Sequence, residues 1–169
     1  MSFLKDLTEE DYKVLAEQIE TLSQQDENEI FKIIGNSLNR EGYSVADDAE
    51  PGILQPKMMI DFPNRRIDPL KALEFANSPF KIKKVDARKT GKSFWKKFEK
   101  KIKKEICSNE SIKAIITGNG TLVDYLKAGI PILLTALGIT AVNPTMLAVI
   151  IAVFALIVKV GYKTYCDIE

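Results

Sequence analysis

Histidine is absent from all 169 residues, and with it goes the commonest general base, proton shuttle and metal ligand. Ser-His and Cys-His nucleophile pairs are thereby excluded, as are histidine-ligated zinc sites. Cysteine is scarce: Cys107 and Cys166 stand far apart and follow no C-x-x-C spacing, so no thiolate metal site or disulfide framework is indicated. Two reduced, structural thiols are the expectation. Net charge is only +1, which indicates neither a nucleic-acid binder nor an acid-rich disordered chain. The start, MSFLKDLTEEDYK, lacks a basic segment followed by an apolar run, so no secretory signal is expected. The expected location is cytoplasmic, extending to the cytoplasmic face or interior of an inner membrane.

The near-zero charge conceals a polarised chain. Residues 1–50 carry 13 acidic and 4 basic side chains, whereas residues 81–104 carry 12 basic side chains against Asp86 and Glu99. Thr8 followed by Glu9, Glu10 and Asp11 is an N-cap with acids in the first turn, and Tyr12, Leu15, Ile19 and Leu22 recur at helical spacing over about 8–22. A second helix capped by Ser23 carries Ile30, Phe31, Ile33, Ile34 and Leu38 and ends at Gly42. These two helices read as an antiparallel acidic pair, 1–42, suited to a protein partner.

Residues 43–92 are irregular, broken by Pro51, Gly52, Pro56 and Pro63. Asp68-Pro69 opens a short helix through Phe75, and Met58–Phe62 and Phe80–Val85 read as two short strands that need each other to persist. Asp47, Asp48, Asp61 and Asp68 make a metal site only if folding gathers them, and their spacing does not imply that.

The stretch Asp86-Ala87-Arg88-Lys89-Thr90-Gly91-Lys92-Ser93 comes within one residue of the phosphate-loop pattern G-x-x-x-x-G-K-[ST]. Such a loop works because glycines let backbone N–H groups close around phosphate while lysine reaches the terminal groups. Here Asp86 puts a carboxylate where the first glycine belongs, and the parallel sheet that a true loop requires has no counterpart in the rest of the chain. The stretch reads instead as a linker in which Gly91 breaks the chain and Ser93 caps the next helix. No cofactor is expected.

That helix, running to about Cys107, sets Phe94, Trp95, Phe98, Ile102 and Ile106 against Lys92, Lys96, Lys97, Lys100, Lys101, Lys103 and Lys104. The pattern suits a helix lying on an anionic membrane surface or docked on an acidic protein partner, and equally a core-facing helix with a solvated face. Nucleic acid is disfavoured, because arginine is scarce and the aromatics lie on the apolar stripe. A short helix follows from Asn109 to Gly118.

Residues 128–158 contain no charge. Asn143-Pro144-Thr145 divides them into two apolar arms, which carry Ile130, Leu133, Leu134, Leu137 and Ile139 in one and Leu147, Ile150, Ile151, Phe154 and Ile157 in the other. The whole run exceeds the roughly 20 residues that span a bilayer, while each arm falls short. Lysines on both flanks favour a two-pass or re-entrant hairpin over a single span. The competing arrangement is a hairpin buried by amphipathic helices in a bundle.

The order of features over 93–169 is similar in outline to pore-forming helical domains of the colicin type, in which amphipathic helices wrap a C-terminal hydrophobic hairpin. The similarity involves no shared motif, and all it implies is that such a layout is compatible with both a soluble and an inserted form. The sequence therefore leads to a mainly α fold: a small helical bundle with a C-terminal apolar helical hairpin and a short two-stranded β element in the middle. Function is expected to be non-enzymatic, either membrane association through the hairpin and the basic helix, to the point of pore formation, or service as a soluble interaction module with the hairpin as its core. Oligomerisation is left open.

Overall fold

A computed structural model describes residues 7–40, 43–44, 55–56, 87–139 and 144–167, and the fold is mainly α. Helix α1 spans Glu9–Ser23. The Thr8 hydroxyl accepts from the Asp11 N–H at 3.1 Å and the Asp11 carboxylate accepts from the Thr8 N–H at 3.0 Å, which closes the capping box. Helix α2 spans Glu27–Arg40. Its cap is Asp26, whose carboxylate accepts from the Asn28 N–H at 2.8 Å. Ser23, expected there, instead ends α1 by donating to the Glu20 carbonyl. An anionic side chain at the positive end of α2 outdoes a neutral hydroxyl three residues earlier.

Beyond α2, Tyr43–Ser44 (β1) and Gln55–Pro56 (β2) form a two-rung antiparallel ladder, Tyr43 opposite Pro56 and Ser44 opposite Gln55. The strands expected at 58–62 and 80–85, the short helix at 68–75, Gly42 and Asp47, Asp48, Asp61 and Asp68 all lie outside the described residues.

Helix α3 spans Ala87–Cys107, so it begins six residues before Ser93, and Gly91 lies inside it. The reason is tertiary. A Cβ on Gly91 would fall 1.9 Å from the Phe31 carbonyl oxygen, and one on Gly35 would fall 1.8 Å from the Ala87 carbonyl oxygen. Helices α2 and α3 thus cross backbone against backbone, each offering a glycine to the other. Residue 91 must lack a side chain, and the helix is set by the burial around it despite the propensity cost of about 1 kcal/mol.

Helix α4 (Glu110–Thr117) is capped by Asn109, which accepts from the Ile112 N–H at 3.2 Å. Helix α5 (Leu122–Leu137) opens with a second capping box, Thr121 with Asp124, continues through Pro131 and ends at Gly138 in the left-handed region. Helix α6 (Pro144–Val160) has proline at its first position, as Asn-Pro-Thr led one to expect.

The centre of the bundle is α6. Every residue from Met146 to Ile157 is buried, none more than 4% exposed. An apolar helix without a polar face needs cover on all sides, and α1 and α2 supply the closest cover, while α3 packs on α2 and α5, and α5 also meets α1 and α4. The two apolar arms expected from the sequence are α5 and α6, which meet through side chains, Phe154 edge-on to Tyr125 at 6.1 Å, while α6 gives its closest backbone approach to the N-terminal helices. Two lysines tie the ends together. Lys127 of α5 pairs with Glu9 and sits over the Tyr12 ring. Lys159 of α6 donates to the carbonyls of Ser23 (3.3 Å) and Gln25 (2.7 Å), capping the end of α1.

After α6 the chain reverses at Gly161 (φ 116°) and a short 3-10 turn, Tyr165–Asp167, returns to the end of α3. There Cys166 is bonded to Cys107, with Cα atoms 5.4 Å apart. The expectation of two reduced thiols is overturned, because the reversal at Gly161 brings together residues separated by 59 positions.

Candidate functional site: the lysine face of α3

With 21 residues in one helix, positions four apart share a face. Phe94, Phe98, Ile102 and Ile106 form one such row and are at most 2% exposed. Phe94 and Phe98 stack with ring centroids 4.8 Å apart. Lys92, Lys96, Lys100 and Lys104 form the row on the opposite side, and all four are exposed. At 1.5 Å of rise per residue the row is about 18 Å long.

Of the other lysines expected to belong to the surface, Lys97, Lys101 and Lys103 lie half-buried on its shoulders. Lys103 is turned toward the Tyr165 ring, 5.6 Å from its centroid. Trp95 is half-buried and packs against the core. The sequence placed both Trp95 and Phe94 on the apolar side, and Phe94 holds the central position.

Five lysines elsewhere are engaged. Lys13, Lys32 and Lys113 pair with Glu10, Glu29 and Glu110, Lys127 with Glu9, and Lys159 with backbone carbonyls. Among the described residues, no carboxylate lies within ion-pair distance of Lys92, Lys96, Lys100 or Lys104. Four like charges at i, i+4 spacing repel one another. The row therefore raises the energy of the isolated chain.

The second set of expected site residues, Ile130, Leu133, Leu134, Leu137, Ile139, Leu147, Ile150, Ile151, Phe154 and Ile157, lies wholly in the core cluster. Among the described residues no helix is long and apolar enough to cross a membrane. The phosphate-loop resemblance ends here as well. Lys92 and Ser93 are exposed positions within α3, and Gly91 is packed on the backbone of Phe31, so no loop surrounds an anion.

Two features had no signal in the sequence. The hydroxyls of Tyr125 and Tyr165 are buried without a hydrogen-bond partner among the described residues. Burial pushes both above the ordinary tyrosine range, Tyr165 further through Glu99 and Tyr125. The other feature is a solvent-open groove where α3, α4 and α5 meet, lined by Glu105, Ser108, Asn109, Glu110, Ser111, Pro131, Ile132 and Thr135. Among the described residues no three His, Cys, Asp or Glu side chains gather as a metal site. No protein-family model matches the chain, nor does any curated protein or solved structure.

Proposed function

We propose that this protein is a non-enzymatic helical module that docks peripherally on an anionic membrane surface through the lysine row of α3, with α6 retained as its core. The observation that carries the reading is the set of four exposed lysines, without an ion-pair partner among the described residues, on a helix whose apolar face is already occupied. Lysine is a compact point charge without arginine's planar fork. A row of lysines suits a fluid, laterally mobile array of lipid phosphates and carboxylates better than the fixed bidentate geometry of a folded acidic partner.

The magnitude follows from the charge count. Each lysine near an anionic leaflet contributes about 1 kcal/mol, so four give about 4 kcal/mol and a dissociation constant near 1 mM. The binding is weak, reversible and strongly dependent on salt. Co-sedimentation with vesicles containing an anionic phospholipid at low ionic strength, against purely zwitterionic vesicles, tests it. Binding to the anionic vesicles alone, lost in about 0.5 M salt and in the Lys96→Glu/Lys100→Glu variant, is the expected result. Absence of binding at low salt, or equal binding to both vesicle types, would refute it.

A further inference from the structure

We propose that the Cys107–Cys166 bond is a redox-operated strap: oxidised, it holds the turn 161–167 against the end of α3, and reduction by a dithiol frees that turn while the helical core stays folded.

The non-covalent hold on the turn is chiefly the Tyr165 ring, 3% exposed in the core cluster, with few polar ties around it. Tyr162 reaches the Gly120 carbonyl at 3.5 Å, the outer limit for a hydrogen bond. Its ring meets Tyr125 edge-on at 5.2 Å, and Tyr165 lies under Lys103. Against these stands the Tyr165 hydroxyl, buried without a partner among the described residues, which favours release to water. Thr164 and Tyr165 N–H donate to the Gly161 carbonyl within the turn, and the hydrogen bonds that leave it otherwise run back only to the end of α6, from the Gly161 N–H to the Ile157 carbonyl at 2.9 Å and from the Thr164 hydroxyl to the Val160 carbonyl at 3.3 Å.

The core has anchors of its own. The buried run of α6 ends at Ile157, before the turn begins, and Lys159 fixes the end of that helix to the Ser23 and Gln25 carbonyls. Freeing residues 161–167 removes neither α1 nor α2 from α6.

The chemistry is ordinary thiol–disulfide exchange. Both cysteines are only half-buried, so a thiolate can approach. Attack on the Cys166 sulfur forms a mixed disulfide and expels Cys107 as thiolate, which takes a proton from water. Lys103 and Lys104, one turn earlier on the same helix, favour that leaving group. The second thiol of the reductant then attacks its own mixed disulfide and releases Cys166. Two electrons pass from the dithiol, which leaves as a disulfide.

Hydrogen exchange read by mass spectrometry on the full chain, oxidised and with dithiothreitol, tests the strap, with Cys166→Ser as a variant that needs no reductant. The expected result is a tenfold or greater loss of protection confined to 161–167 in the reduced protein and in Cys166→Ser, with α1, α2 and α6 still protected and the wild type restored on reoxidation. Unchanged protection in the turn would show that the bond is dispensable for docking. Lost protection throughout α6 would show that the bond sustains the whole fold. Either result overturns the proposal, and neither depends on membrane docking.

Discussion

Glycine to alanine in the interior of an exposed helix stabilises by about 1 kcal/mol, because the backbone loses less freedom on folding. At Gly35 and Gly91 the sign is expected to reverse. A Cβ at Gly35 would stand 1.8 Å from the Ala87 carbonyl oxygen, where ordinary contact begins at 3.4 Å, so α2 and α3 must part by about 3.4 − 1.8 = 1.6 Å. A gap of 0.5–1 Å already forfeits roughly a quarter to a half of the dispersion energy between facing atoms. After the propensity gain is subtracted, each variant should lose about 3 kcal/mol. With a urea m-value of about 2 kcal/mol/M the midpoint should fall by about 1.5 M. Gly129→Ala supplies the contrast. Its Cβ would meet the Phe154 ring at 3.0 Å and the Ile112 Cδ1 at 3.9 Å, side-chain ends and not backbone, so that variant should stay within about 1 kcal/mol of wild type. Because one displacement of α2 from α3 relieves both clashes, Gly35→Ala with Gly91→Ala should cost clearly less than the sum of the two. If both single variants are as stable as wild type or more so, the backbone crossing is refuted.

Tyr125→Phe removes a buried hydroxyl without a partner and should raise stability by about 1 kcal/mol in chemical denaturation. The unfolded chain releases its tyrosine protons near pH 10 while the fold holds those of Tyr125 and Tyr165 above it. The native state then binds more protons, so stability is full below about pH 10 and falls as pH rises, by about 1 kcal/mol per unit for each tyrosine. The double Tyr125→Phe/Tyr165→Phe variant should flatten that fall in melts taken between pH 9 and 11.5. Lys159→Met leaves the end of α1 uncapped and should cost about 1 kcal/mol, with faster amide exchange at the close of α1. Ile151→Asp puts a carboxylate at a position with no exposure. It should abolish the cooperative thermal transition, whereas Lys100→Asp on the open face should not.

What was legible in the sequence was local. Thr8 lies three residues before Asp11, so the N-cap of α1 could be read without knowing what the helix packs against. The apolar rows of α1, α2 and α3 likewise have one meaning in any water-soluble arrangement. Gly91 shows where this fails. Within its own stretch it reads as a chain break, and only the backbone of Phe31, sixty residues away, makes a glycine inside a helix the better solution. The same distance hid the Cys107–Cys166 bond. The role of α6 was ambiguous for a different reason: a helix apolar on every face has the same pattern whether lipid or protein surrounds it.

The lysine face was legible residue by residue, yet the occupation of its reverse side changes what it can do. A helix that settles into a membrane interface buries its apolar face among acyl chains and gains energy that salt does not screen. In α3 that face is committed to the core, with Phe94, Phe98, Ile102 and Ile106 at most 2% exposed. Only the charged face is left to meet a surface, so attraction must be electrostatic throughout. Two consequences separate this state from insertion. Docking through Lys92, Lys96, Lys100 and Lys104 should vanish completely as salt rises, and it should be indifferent to acyl-chain packing at fixed headgroup charge. A salt-resistant residue of binding would require the α3 stripe or α6 to have left the core, and the buried run Met146–Ile157 would then lose the amide protection that the closed bundle gives it.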